Sequence, residues 1–347
     1  MPNTWATILT ISNNSRVPAQ YNNLQTAINA ANAGDTLHIQ PSATIYESAI
    51  INKYLVLVGG GYYNTSQYFL GEESRLQLLT LTQNADQTFI ADCHIENIII
   101  ESDNANQTQF DNLSLVHNFI AQITFKTSNG VFKGENITIK NNLINKISFT
   151  NWALQNEVTI KIENNIIGAI SDAAGVEILI KNNLFYPRFG SGVTVAMSNL
   201  SDCMINGNIF LGNNAQAIGA NTISNCNVSQ NLSFLTTDDF SSATENNNTF
   251  SNNILLGNAA DLLFNTVVDF YSLGTVINLD FALVTTSQAI GAGASGTDIG
   301  ILGGSFPFVQ SNKFAYPLIN SVEINNPVIG QDEKLKFTIK AVYPNDN

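Results

Sequence analysis

Charged residues are scarce in this sequence, and basic residues are the scarcest. Only 12% of the 347 residues are charged, and 14 lysines and arginines stand against 27 acidic residues, for a formal net charge of −13. Nucleic-acid binding needs clustered lysine and arginine, so this balance argues against a nucleic-acid partner. An anionic polymer is disfavoured for the same reason, unless divalent cations bridge it to the protein.

Cysteine and long apolar runs are also scarce. Three cysteines, Cys93, Cys203 and Cys226, are too few for a disulfide framework, and the absence of a CxxC pair gives no indication of zinc. No run of 18 apolar residues exists, which predicts no membrane span. The segment Met1 to Thr10 lacks the basic start of a signal peptide.

Asparagine, in contrast, recurs at an interval of about 22 residues, which indicates an internal repeat. The aligned residues are Asn118, Asn142, Asn165, Asn183, Asn208, Asn231 and Asn253. Three positions before them stand Leu115, Ile139, Ile162, Ile180, Ile205, Val228 and Phe250, and one position after them Phe119, Leu143, Ile166, Leu184, Ile209, Leu232 and Ile254. All fourteen flanking residues are apolar, which predicts a short strand, a bend and a second strand in every repeat.

The asparagine fits such a bend for two reasons. It tolerates the left-handed backbone conformation of a sharp corner, and its amide can hydrogen-bond to the asparagine of the next coil. Coils that stack at the spacing of neighbouring strands, about 4.8 Å, place like residues on like. The pattern therefore predicts an all-β solenoid, a parallel β-helix, over residues 35–304.

Both ends of the chain carry segments that would close a solenoid. Residues 1–34 form the predicted N-terminal cap, in which Leu24, Ile28 and Ala31 lie on one face of a short helix that ends at Gly34. Residues 305–347 form the predicted C-terminal hairpin, with Leu335 to Ala341 alternating as one strand and Val322 and Ile324 in its partner. We favour a hairpin that seals the last coil over one that begins a further module.

Three stretches resemble a known family. Leu24 to Tyr46 (LQTAINAANAGDTLHIQPSATIY) looks like the opening of pectin-lyase-like right-handed parallel β-helix proteins, and Leu55 to Asn64 (LVLVGGGYYN) like their second coil. Ala289 to Gly304 (AIGAGASGTDIGILGG) resembles the end of the helix in secreted β-helix proteins of Bacteroidetes-type bacteria. The resemblance implies export to an extracellular or cell-surface setting rich in polysaccharide, and it identifies no reaction.

A polygalacturonase-like hydrolase is not supported by the residues. The nearest pair of aspartates is Asp238 and Asp239, but no histidine follows His117, and no basic residue lies between Arg188 and Lys313. The substrate clamp of that mechanism is therefore missing. His38, His94 and His117 match no metal-ligand spacing, so no metal site is expected.

A divergent polysaccharide lyase is the enzyme alternative. Elimination needs a base near the α-proton and a positive group beside the uronate. The candidates are Arg188 with Lys181 or Lys161, and Tyr186 as a second choice of base. Such a lyase could require Ca²⁺; otherwise no cofactor is expected. Surface lysines that discourage sheet association explain the two lysines equally well.

Carbohydrate binding needs exposed aromatic rings and amides. Two aromatic segments supply the candidates, which are Tyr62, Tyr63, Tyr68, Phe185, Tyr186, Arg188 and Phe189. The sequence thus favours a non-catalytic, extracellular β-helix that binds or is displayed at a polysaccharide-rich surface. A lyase and a structural subunit of a surface layer, fibre or phage-like tail remain the alternatives, and the oligomeric state is not indicated.

Overall fold

The computed structural model describes most of the chain. The described residues are 6–62, 73–102, 110–127, 132–150, 158–173, 177–186, 195–211, 216–218, 223–234, 240, 246–256, 264, 281–308, 318–324 and 337–342. Within them, two large, entirely parallel sheets form a β-solenoid, so the predicted parallel β-helix is confirmed.

The first sheet stacks one strand from each coil. Its eleven strands, in order, are β1 (Ile8–Ile11), β2 (Thr36–Ile39), β4 (Val56–Gly59), β6 (Phe89–Ala91), β8 (Ser114–Val116), β10 (Gly134–Lys140), β12 (Val158–Glu163), β14 (Glu177–Lys181), β18 (Met204–Asn206), β22 (Asn227–Ser229) and β24 (Thr249–Ser251). Their side chains alternate between the interior and the outer face.

The second sheet follows the bend after each of these strands. Its main path comprises β3 (Ala49–Ile51), β5 (Arg75–Leu81), β7 (His94–Ser102), β9 (Phe119–Thr127), β11 (Leu143–Thr150), β13 (Ile166–Ser171), β15 (Leu184–Phe185), β19 (Ile209–Leu211), β23 (Leu232–Phe234) and β25 (Ile254–Leu256). Strand β16 (Val195–Ser198) pairs with β13, and β20 (Gln216–Ile218) pairs with β16. Strand β17 (Leu200–Ser201) pairs separately with β21 (Ile223–Ser224).

The asparagines form one continuous ladder at the bend between the two sheets. The side-chain Nδ2 of Asn142 donates to Asn165 Oδ1, and that of Asn165 to Asn183 Oδ1, each at 3.0 Å. The same bond continues through Asn208 and Asn231 to Asn253. The apolar residues three positions earlier fill the interior, where Ile139, Ile162, Ile205 and Val228 are fully buried and Phe250 packs against them partly exposed. The predicted column is therefore confirmed.

One part of the explanation for the ladder is wrong. The left-handed backbone conformation belongs to the residue before each ladder asparagine, as at Asn141 (φ 55°) and Asn164 (φ 52°). The ladder asparagine itself is chosen for its buried amide, which satisfies backbone groups of the bend. At Gly207 (φ 67°) the preceding residue is a glycine, to which this conformation costs little.

The N-terminal cap contains the predicted helix. Helix α1 (Leu24–Ala30) begins at Asn23, whose side chain accepts a hydrogen bond from the Thr26 N–H at 2.9 Å. Leu24 and Ile28 are buried on the first coils, in contact with β1 and β3. Because α1 is the only helix longer than one turn among the described residues, nearly all of the core comes from strands.

The segment 281–308 lies outside the coils and runs back along them. Asn164 donates to the carbonyls of Ile301 and Gly303 at 2.8 Å, and the Gly300 N–H donates to Gly207 O at 2.8 Å. We call this segment the strap. The resemblance places Ala289 to Gly304 at the end of the helix; in the structure these residues instead cover the outside of earlier coils.

The strap covers a second apolar cluster, separate from the interior. The residues that follow the ladder asparagines point outward and form its base, from Phe119 and Leu143 to Leu232. Ala289, Ile299 and Ile301 of the strap pack on them. Gly300 (φ 100°) passes so close to Ile209 that a Cβ atom would come within 2.3 Å of its Cδ1, so glycine is needed there.

The C-terminal hairpin is also confirmed. Strands β26 (Leu318–Ile324) and β27 (Phe337–Val342) pair antiparallel, with Val322 opposite Ile339 and Ile324 opposite Phe337. The predicted turn at 330–332 and Leu335 lie outside the described residues. Whether the hairpin seals the last coil stays a prediction.

Candidate ligand-binding face

The C-terminal halves of strands β9, β11 and β13 carry hydroxyl side chains on their outer side, partly exposed at Thr124 and largely buried at Ser148 and Ser171. The strand register aligns Thr124, Ser148, Ser171 and Ser198 across four coils. On the coil before Thr124 the aligned residue is Ile99, which ends the row of hydroxyls. We call this row the hydroxyl row. The neighbouring strand spacing of about 4.8 Å sets the distance from one hydroxyl position to the next.

The hydroxyl row is partly bonded within itself. Gln122 Nε2 donates to Thr124 Oγ1 at 3.0 Å and reaches Ser148 Oγ at 3.4 Å, and the two hydroxyl oxygens lie 3.4 Å apart. Ser171 is 8% exposed, and its Oγ has no hydrogen-bond partner among the described residues. A buried hydroxyl without a partner is costly, so a bound polar group would stabilise this position.

Charged and amide side chains flank the hydroxyl row on both sides. On one side Lys126 Nζ lies 3.0 Å from Glu101 Oε1, with both side chains partly exposed. On the other side Asn97, Gln122 and Lys146 stand in register on successive coils. These flanks carry two lysines and one glutamate, so this face lacks the acidic excess of the chain as a whole.

The three aromatic candidates for carbohydrate binding that the structure describes do not lie on an exposed surface. Tyr62 is 2% exposed, Phe185 is fully buried and Tyr186 is 5% exposed. Phe185 stacks on Phe210 in the interior, with ring centroids 4.9 Å apart. The expected exposure of these three rings is therefore wrong, because Phe185 points inward and the other two join the outer apolar cluster. Tyr63, Tyr68, Arg188 and Phe189 lie outside the described residues.

The lyase candidates fall on two sides of the asparagine bend. Lys161 and Lys181 lie on the outer face of the first sheet, on the neighbouring strands β12 and β14. Tyr186 follows the bend and packs in the outer apolar cluster. The two lysines therefore lie on the same face of neighbouring strands but two positions apart in register, because Lys161 pairs with Leu179 and Lys181 with Glu163. Tyr186 does not lie on that face.

His94 and His117 lie on neighbouring coils near the start of the second sheet. His94 Nδ1 pairs with Glu73 Oε2, and its Nε2 lies 3.4 Å from Glu96 Oε1, which also binds Arg75. Its ring meets Phe119 edge-on at 4.4 Å between centroids. In the sequence, the spacing of the histidines matches no ligand set and predicts no relation between them. The register pairs His94 with Phe119, two residues after His117, so both histidines lie at the same bend of neighbouring coils.

His117 forms a buried pair with a carboxylate in the same region. Its Nδ1 lies 2.5 Å from Asp92 Oδ1, and both side chains are less than a tenth exposed. Tyr62 packs beside the pair, with its ring centroid 5.4 Å from that of His117. Burial and the negative charge of Asp92 raise the pKa of the Tyr62 hydroxyl far above its usual range. The tyrosine is therefore neutral, and the buried pair holds the corner of these coils together.

No cluster of three or more histidine, cysteine, aspartate or glutamate side chains suited to a metal ion occurs in the described part of the chain. No helix there is long and apolar enough to span a membrane. No protein-family model matches this chain, and no curated protein matches it. The fold and the side chains on its faces therefore carry the functional argument.

Proposed function

We propose that this protein is a non-catalytic, extracellular or cell-surface β-helix that binds a polysaccharide or cell-surface glycan. The observation that carries the proposal is the hydroxyl row, which repeats one hydroxyl position per coil along the solenoid axis. Amides and hydroxyls on a concave or flat face pair with sugar hydroxyls. A regular row of such groups suits a ligand that is itself regular, such as a polymer of sugars.

The charge of this face supports a neutral or weakly acidic glycan. Lys126 is already paired with Glu101, which leaves Lys146 as the flanking lysine without an ion-pair partner among the described residues. A strongly anionic polymer would meet one such lysine on a chain with a net charge of −13, which opposes association. Neutral sugars avoid that penalty.

The proposal includes the setting that the resemblance implies. A pectin-lyase-like protein of the secreted Bacteroidetes-type kind would meet glycans outside the cell. Support comes from the parallel β-helix itself and from helix α1, which packs on the first coils and leads into β2, as the resemblance expects. A solenoid hosts many unrelated activities, so the side chains on its faces, and not the fold, support glycan binding.

A matched pair of variants tests this function. We would screen the protein against immobilised neutral and anionic polysaccharides and measure affinity for the best ligand by calorimetry. The double variant Thr124→Val and Ser148→Ala removes two hydroxyls of the row, each worth about 1 kcal/mol, so affinity should fall roughly tenfold or more. Thr138→Val, which removes a partly exposed hydroxyl from the outer face of β10, should leave it unchanged.

Three results would contradict the proposal. These are an absence of binding to every polysaccharide, an equal loss in the Thr138→Val variant, and release of unsaturated products from a uronic-acid polymer. The last result, detected by ultraviolet absorbance, would favour the lyase alternative. Circular dichroism of each variant should match that of the wild type, so that a lower affinity can be assigned to the missing hydroxyls and not to unfolding.

A further inference from the structure

Cys203 and Cys226 occupy equivalent positions at a second bend of the solenoid. The residues before them, Asp202 and Asn225, both adopt the left-handed conformation, with φ of 59° and 53°. The Asn227 N–H donates to Cys203 O at 2.9 Å, which places the two cysteines directly above one another on neighbouring coils. Both are free thiols, 3% and 2% exposed.

The two side chains also have the same local conformation. Each Sγ lies 3.3 Å from the carbonyl oxygen two residues earlier, Ser201 O for Cys203 and Ser224 O for Cys226. Identical geometry on stacked coils repeats with the strand spacing, so the two sulfurs lie about 4.8 Å apart. The next residue in this column is Asn248, whose Oδ1 accepts from the Cys226 N–H at 2.9 Å.

This separation fits a bridging metal ion better than a disulfide. Sulfur atoms in a disulfide are about 2.05 Å apart, so bond formation would require the coils to move. Metal–thiolate bonds are about 2.3 Å long, and two of them in a line span roughly 4.6 Å. An ion midway between the two sulfurs would need little change in the stacked coils.

We propose that Cys203 and Cys226 form a linear two-coordinate site for one soft monovalent ion of the Cu(I) type. Soft thiolates select Cu(I), whereas structural zinc takes four ligands that this position does not offer. Binding forms two S–Cu bonds and releases the two thiol protons to water, and copper stays in the +1 state. The residues directly before the two cysteines, Asp202 and Asn225, are exposed, so the path from solvent to the thiols is short.

The chain provides its own control in Cys93. This cysteine is also free and fully buried at a bend, and its Sγ lies 3.3 Å from Ala91 O, but Asn118 and not a second cysteine stands next to it. We would titrate the full-length protein anaerobically with Cu(I) against a chromophoric Cu(I) chelator. The wild type and Cys93→Ser should bind one ion, and Cys203→Ser and Cys226→Ser should each lose roughly 100-fold or more in affinity.

X-ray absorption of the loaded protein should show two sulfur neighbours and no others. The inference is overturned if Cys203→Ser or Cys226→Ser keeps the wild-type affinity while folded, or if Cys93→Ser loses as much as they do. It is also overturned if the absorption shows a single sulfur. Thiol counting in denaturant should find three thiols in the metal-free protein; a count of one would show a disulfide between Cys203 and Cys226 and refute the site.

Discussion

Asn165 Oδ1 accepts two hydrogen bonds from Asn142, one from its backbone N–H at 2.8 Å and one from its side-chain Nδ2 at 3.0 Å. Asn165 Nδ2 in turn donates to the carbonyls of Ile139 and Glu163. Asn165→Ala would leave these buried groups without partners. We expect a loss of about 3 kcal/mol or more in the free energy of unfolding, measured by denaturant titration.

The matched control for this prediction is Asn97→Ala. Asn97 is exposed on the outer face of β7, so its removal should change the free energy of unfolding by less than about 0.5 kcal/mol. Similar losses in the two variants would show that the ladder contributes no more than an exposed asparagine does.

Ile162→Asp tests the interior column. Ile162 is fully buried between the coils, and a carboxylate there would lose its hydration without gaining a charged partner. We expect a cost of several kcal/mol, or failure to fold, as judged by circular dichroism and denaturant titration. Lys161→Asp, one residue earlier on the exposed face of β12, should fold normally. A folded Ile162→Asp protein of near wild-type stability would refute the assignment of this column.

The repeat could be predicted from the sequence because two independent constraints coincide at every coil. A buried asparagine side chain needs hydrogen-bond partners on the coils above and below, which asparagines at the same position provide. The residue three positions earlier points into the interior and therefore has to be apolar. Both leave a pattern at fixed spacing, which is why Asn142, Asn165 and Ile162 could be placed before the structure. The hairpin left a similar alternation at Phe337, Ile339 and Ala341, and it too was predicted correctly.

The outer surfaces left no such pattern. Phe119 and Leu143 are as apolar as the interior residues, and only the structure shows that they point outward beneath the strap. An apolar residue type indicates that a side chain is buried, but it does not indicate whether the side chain lies inside the solenoid or on its outer surface beneath the strap. The hydroxyl row was missed for a related reason: Thr124, Ser148 and Ser171 are common residues, and their alignment depends on loops of unequal length between the coils.

Tyr186→Ala gives a test of the corrected position of this ring. On an exposed platform the substitution would weaken glycan binding and leave the fold intact. Because Tyr186 is 5% exposed in the outer apolar cluster, we expect instead a loss of about 3 to 5 kcal/mol in the free energy of unfolding. Tyr186→Phe, which keeps the ring, should lose much less. An unchanged melting temperature in Tyr186→Ala would show that the ring is exposed in solution.

His38 predicts a specific dependence of stability on pH. Burial lowers the pKa of its imidazole below the usual value, and its Nδ1 lies 3.2 Å from Gln40 Nε2, where an amide donor favours the neutral ring. At pH values just below about 6.5 the unfolded chain therefore binds a proton that the folded protein does not. Stability contributed by this group is complete above that range and is lost as the pH falls through it. We expect the free energy of unfolding to decline between about pH 7 and pH 5, and His38→Gln to flatten that decline. A decline that is as steep in His38→Gln as in the wild type would assign it to other groups.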